Sequence, residues 1–128
     1  VNIEAGIAQI NQWAQGHQCA VETHVADAGD RLPVADRCVD LCLVATVLHD
    51  MVHDGTAQAA LKEVARVLKP SGILAVTEFK KQDGPPGPPR AIRLRLEEVS
   101  MLLMPVGLLG ALLVALFLLH VFDSIPAL

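Results

Sequence analysis

The sequence predicts an α/β fold: a mostly parallel sheet with flanking helices. Two apolar runs, CVDLCLVATVL at 38–48 and ILAVTEF at 73–79, read as strands buried in such a sheet. Between them Ala57, Ala60, Leu61, Val64, Ala65 and Leu68 repeat at helical spacing. The break Pro70-Ser71-Gly72 then turns that helix back into the second run, as a parallel crossover requires.

The elements follow in order. Ile3, Ile7, Ile10 and Ala14 mark one face of a helix that ends near Gly16. AVETHVAD alternates, with Val21, Thr23 and Val25 opposite Glu22 and His24, which predicts a short strand stopping at Asp27. AGDRLPVADR is a loop broken by Gly29 and Pro33. The Val-rich run at 38–48 predicts a central strand covered on both faces, and HDMVHDG after it a turn. The crossover helix has Thr56 or Asp54 as N-cap candidates, with Arg66 and Lys69 in its last turn, where cations suit the dipole. Beyond the second strand, KKQDGPPGPPR is a proline-rich loop too short in its Gly-Pro-Pro pattern for a collagen helix. RLEEVSMLL starts another helix, with Glu97 and Glu98 in its first turn.

From Val99 to Phe122 the chain carries no Lys, Arg, Asp or Glu. A helix of that length would reach ~36 Å, against a hydrocarbon core of ~30 Å. Pro105, Gly107 and Gly110 favour instead a helix that ends near Pro105, followed by buried edge elements. Both a membrane contact through 99–122 and a folded apolar C-terminal helix or hairpin remain open. If the segment spans, Arg90, Arg93 and Arg95 put its near side in the cytoplasm.

The chain has 128 residues, a net charge of −4 and 3% aromatics. It can bury one modest core, and its charge excludes a nucleic-acid backbone as primary partner. Three cysteines, Cys19, Cys38 and Cys42, form no CxxC pair, which predicts reduced thiols in a cytoplasmic protein. The start VNIEAGIAQINQW has no signal-peptide pattern and no initiator Met, so a chain beginning inside a larger product is expected.

Several stretches resemble the class I S-adenosylmethionine-dependent methyltransferases, in particular the small-molecule group related to ubiquinone/menaquinone biosynthesis enzymes. VADAGDRLPVADRCVDLCLVATVLHDM resembles that group's run around its third and fourth strands, and ALKEVARVLKPSGILAVTEFKK its crossover helix and fifth strand. GPPGPPRAIRLRLEEVSMLL resembles its proline-rich loop and following helix. The resemblance implies a partial Rossmann-like sheet, truncated at its first strand. It places a methyltransferase-like core at 1–98 and an apolar segment at 99–128. It further implies S-adenosyl-L-methionine as cofactor and a small-molecule methyl acceptor as partner.

Carried over by position, Asn2 and Ile3 fall where the family's second strand ends in an acidic residue holding the cofactor ribose. Asn2 keeps hydrogen-bonding capacity and loses the charge. Asp27 and Ala28 match the adenine-binding turn, and Ala45 matches the wall beside the methionine part. Asp40 matches a structural acidic position. Pro70-Ser71-Gly72 departs from the usual Pro-Gly-Gly. The family's glycine-rich turn, which lets backbone approach the cofactor, has no counterpart here. The resemblance therefore implies a fragment or truncated homologue, with no residue assigned as general base. The alternative is a non-catalytic, membrane-associated or partner-binding α/β module.

His49 and His53 stand at i, i+4, the spacing of zinc-hydrolase ligands. Asp50 replaces the glutamate base and no third ligand is evident, so no metal is expected. Cys38 and Cys42 read as small core residues, Trp13 as a packing residue, and His17, His24, Lys80 and Lys81 as solvated side chains.

Overall fold

The computed structural model describes residues 2–108 and 112–115. The element order is α1 (Ile3–Gly16), β1 (Val39–Ala45), α2 (Leu48–Asp54), α3 (Ala57–Val67), β2 (Leu68–Thr77), α4 (Leu96–Leu103) and β3 (Leu112–Ala115), with short 3-10 turns at Arg90–Ile92 and Met104–Val106. The three strands form one parallel sheet in the order β1-β2-β3. This is the α/β architecture expected, a small parallel sheet of Rossmann-like type.

The crossover helix α3 buries Ala57, Ala60, Leu61, Val64 and Val67, the face its spacing marks out. Its stripe packs with Leu74 and Val76 of β2 and with Leu94, Val99 and Leu103 around α4 to make the core. The register Leu41↔Ile73, Cys42↔Leu74, Leu43↔Ala75 and Val44↔Val76 fixes which side chains share a face. Cys42, Val44, Leu74 and Val76 belong to the core side. Leu41, Leu43 and Ile73 point the other way and are 60%, 62% and 46% exposed. The apolar run of β1 thus departs from the two-sided burial its composition predicts. Among the described residues no element covers the second face.

Three further expectations are revised. Residues 20–27 form no strand; Val21 and Val25 are exposed, and among the described residues no neighbouring strand supplies the backbone partners an isolated extended segment needs. The HDMVHDG stretch is a helical turn, α2, closed by Gly55 in the left-handed conformation. Pro70-Ser71-Gly72 lies inside β2 as a bulge: Val39 pairs with Leu68, and the ladder resumes only at Leu41 with Ile73. Gly72 is required there, because a Cβ would lie 2.9 Å from the Lys69 carbonyl oxygen and 3.0 Å from that of Val39.

The apolar tail falls mostly outside the described residues. Within them β3 joins the sheet edge beside β2, and α4 gives way to a 3-10 turn at Met104 and Pro105, where a helix end is expected. No helix among the described residues is long and apolar enough to cross a membrane. The rest of the 99–122 stretch lies outside them.

Candidate functional site

The loop from Asp27 to Cys38 reaches the sheet because α3 ties it down. Arg66 donates to Glu63 through two nitrogens (2.8 and 2.7 Å), to Asp36 (2.6 Å), and to the carbonyls of Val34 (2.8 Å) and Leu32 (3.1 Å). Glu63 in turn accepts the Leu32 N–H at 2.8 Å. The Arg66 hydrogen bonds, followed by the Leu32 N–H, hold the Glu63 carboxyl well below its ordinary 4.5, at about 2. Its ionised form therefore favours the folded state. That contribution is complete above about 4.5 and is lost as pH falls toward about 2. We expect Tm to drop across this acid window, and Glu63→Gln to flatten the drop; a pH series of thermal melts measures both.

This anchoring sets the wall of an apolar cavity of about 360 Å³ along β1, within the ~300–1,000 Å³ range of ligand pockets. Ala28 and Leu32 of the loop face Cys42, Val44 and Ala45 of β1 and Leu48 of α2 across it. Two positions expected near a cofactor, Ala28 and Ala45, thus line one space. Asp27 stands beside it, exposed, with Oδ1 accepting the Gly29 N–H at 2.8 Å in a side-chain turn. Asn2 and Ile3 are placed at the start of α1. Asn2 is the N-cap, with Oδ1 accepting the Ala5 N–H at 3.1 Å, and Ile3 is 56% exposed. Neither lines the cavity.

At the carboxyl ends of β1 and β2 the chain turns sharply. Thr46 takes a φ of +51°, unusual for a β-branched residue, while its N–H donates to the Thr77 carbonyl at 2.7 Å. The turn delivers His49 onto Glu78, the residue that closes β2. His49 is 4% exposed and Glu78 1%. Glu78 Oε1 accepts the His49 backbone N–H at 3.1 Å, and Oε2 lies 2.6 Å from Nδ1.

His49 and His53, one turn apart on α2, both line a second cavity of about 180 Å³ with Lys81, Arg93 and Glu98. Among the described residues no group of three or more His, Cys, Asp or Glu could hold a metal ion. Arg93 is 3% exposed and donates to the carbonyls of Pro88 (2.8 Å), Lys80 (3.1 Å), Gly84 (2.6 Å) and Pro86 (3.0 Å), fixing the proline-rich loop. Glu98 accepts the Arg95 N–H at 2.6 Å, which lowers its carboxyl, with Lys81 adding to the effect. Burial raises the Cys42 thiol, consistent with a core residue.

The His49–Glu78 pair and the Arg93 anchor have no local pattern in the sequence. The one available signal for the pair was a carboxylate ending an otherwise apolar strand.

Residues 2–76 match the family model described as Methyltransferase domain. The chain is 49% identical over 57 residues to the ubiquinone/menaquinone biosynthesis C-methyltransferase UbiE of Neisseria meningitidis serogroup C, covering 44% of this chain and 22% of that protein. The same values hold for the protein of that name from Laribacter hongkongensis. A crystal structure of a SAM dependent methyltransferase from Aquifex aeolicus aligns with a TM-score of 0.63 and 26% identity, over 75% of this chain and 50% of the other. The chain thus spans 22% of the length of these curated relatives in the aligned stretch.

Proposed function

Because the chain belongs to the Methyltransferase domain family, we propose that it takes part in S-adenosyl-L-methionine-dependent methyl transfer to a small molecule. The observation that carries this reading is the meeting of Ala28 and Ala45 in one apolar cavity, beside the Asp27 turn. The cavity runs between β1 and α3 and reaches the carboxyl end of β1 at Ala45 and Val47, the end at which ligands bind in open α/β sheets. Its lining fits an adenosine and a thioether arm: small and aliphatic side chains, with a carboxylate at the rim.

The residues divide the work. Asp27 would accept from the exocyclic amine of the adenine, and the Ala28 backbone would meet the ring edge. Ala45, with Val47 and Leu48, would wall the methionine part. Asn2 and Ile3 are assigned to the ribose by the resemblance alone, since neither lines the cavity; the Asn2 amide N–H groups stay available to donate while its Oδ1 caps α1. The cofactor, when bound, supplies a methyl made electrophilic by its sulfonium. The chain contributes alignment, and exclusion of water by the apolar walls. The curated relatives are named as C-methyltransferases of ubiquinone/menaquinone biosynthesis; a small molecule is accordingly the acceptor class we assign.

Calorimetric titration with S-adenosylhomocysteine tests this. We expect saturable binding by the purified chain, weakened at least about tenfold, or ~1.4 kcal/mol, in Ala45→Trp, which fills the cavity. Equal affinity in both proteins, or no heat in either, would contradict it.

A further inference from the structure

We propose that His49 is the proton acceptor for the methyl acceptor's hydroxyl, and that Glu78 is its positioning residue. The inference rests on the methyl-transfer reading above and adds to it a residue role and an acceptor chemistry.

Four observations lead there. Both partners of a 2.6 Å hydrogen bond are almost completely buried, at the carboxyl ends of adjacent strands. Glu78 uses both oxygens on His49, one on the backbone N–H and one on Nδ1, so ring and backbone are fixed together. Nε2 has no hydrogen-bond partner among the described residues, its nearest carboxylate being Asp50 Oδ1 at 3.5 Å. Finally, Leu48 lines the apolar cavity and its chain neighbour His49 the mixed one, so consecutive residues of α2 face the proposed cofactor space and a second space with polar lining. A carboxylate behind an imidazole fixes its tautomer, stabilises its protonated form and leaves the far nitrogen to take a proton.

The step balances simply. The acceptor's O–H bond breaks and its proton passes to Nε2. The electron pair left on oxygen makes the acceptor nucleophilic, at oxygen or at a conjugated ring carbon. The new bond to the methyl carbon forms as the carbon–sulfur bond breaks, its electron pair returning to sulfur. His49 releases the proton to solvent past Asp50, which is exposed; a ring carbon that is methylated loses its own proton the same way. The chemistry selects an acceptor with an acidic hydroxyl, a phenol or enol. The charged groups facing His49 are Glu78 from β2's end, Asp50 and His53 on α2, and Lys81, Arg93 and Glu98 across the cavity.

The test uses the intact chain and 4-nitrophenol, whose ionised form absorbs distinctly. We expect bound probe to hold about tenfold more phenolate than free probe at the same pH, one unit of apparent pKa. His49→Gln should abolish the excess, and Glu78→Gln should reduce it while circular dichroism stays unchanged. Independently of any variant, nitrogen-15 spectra of the wild-type imidazole should show Nδ1 protonated and Nε2 bare when the ring is neutral. No binding of the probe, an excess that survives His49→Gln, or a proton on Nε2 with Nδ1 bare would each overturn the proposal. Failure of the methyl-transfer reading is separate, since it appears as loss of S-adenosylhomocysteine binding whatever the probe does.

Discussion

Replacing Arg93 by Met is expected to cost about 3 kcal/mol or more in urea unfolding. Among the described residues no carboxylate pairs with the buried guanidinium; its charge is held by four backbone carbonyls from Lys80 to Pro88. Hydrogen bonds to a charged group are each worth ~1.5–3 kcal/mol, and the carbonyls left behind lose their donor. The ring of Phe79, 5.8 Å from the guanidinium carbon, adds a cation–π contact. The same ring packs on Gly87, where φ is +102° and a Cβ would lie 2.5 Å from Cδ1. Arg93→Lys should recover less than half of the loss, because an ammonium cannot reproduce the planar fork. Limited proteolysis should cut the variants first within 80–92. Unfolding midpoints equal to wild type would show that the loop is held by other means.

Leu74→Ala should cost about 2–5 kcal/mol, the range for truncating a buried leucine, whereas Leu43→Ala should stay within ~0.5 kcal/mol. The two residues lie on neighbouring strands of one sheet. Leu74 is 0% exposed against α3 and α4; Leu43 is 62% exposed on the face that no described element covers. A sheet covered on both sides would make both substitutions expensive. Parallel chemical denaturation of the two variants therefore reads directly which face carries the core, and comparable large losses would refute the one-sided arrangement.

How far the sequence could be read follows from what each residue's neighbours are. The stripe Ala57–Leu68 and the runs at β1 and β2 were legible because helix and parallel-strand burial are written in local periodicity. The alternating Val21–Val25 stretch misled for the opposite reason: a strand needs a partner, and partners are set by the whole chain. Two-sided burial of β1 failed on the same ground, since composition records apolarity and not what covers it. HDMVHDG reads as polar and turn-like, yet α2 forms there because Leu48 is buried in the core and Glu78 holds the His49 N–H. At the site, Ala28 and Ala45 could be placed from a resemblance, and the cavity brings them to one lining. The pairing of His49 with Glu78 spans 29 positions, beyond the reach of any local pattern.

The claim on which the functional reading depends is that the cavity beside Ala28 and Ala45 is an adenosine site. Amide chemical-shift mapping of the nitrogen-15-labelled chain with S-adenosylhomocysteine tests it most directly. We expect saturable shifts centred on Asp27–Gly29 and Ala45–Val47, with the exposed amides around Ile10 and Trp13 of α1 unmoved. Shifts centred anywhere else, or none at saturating ligand, would contradict it.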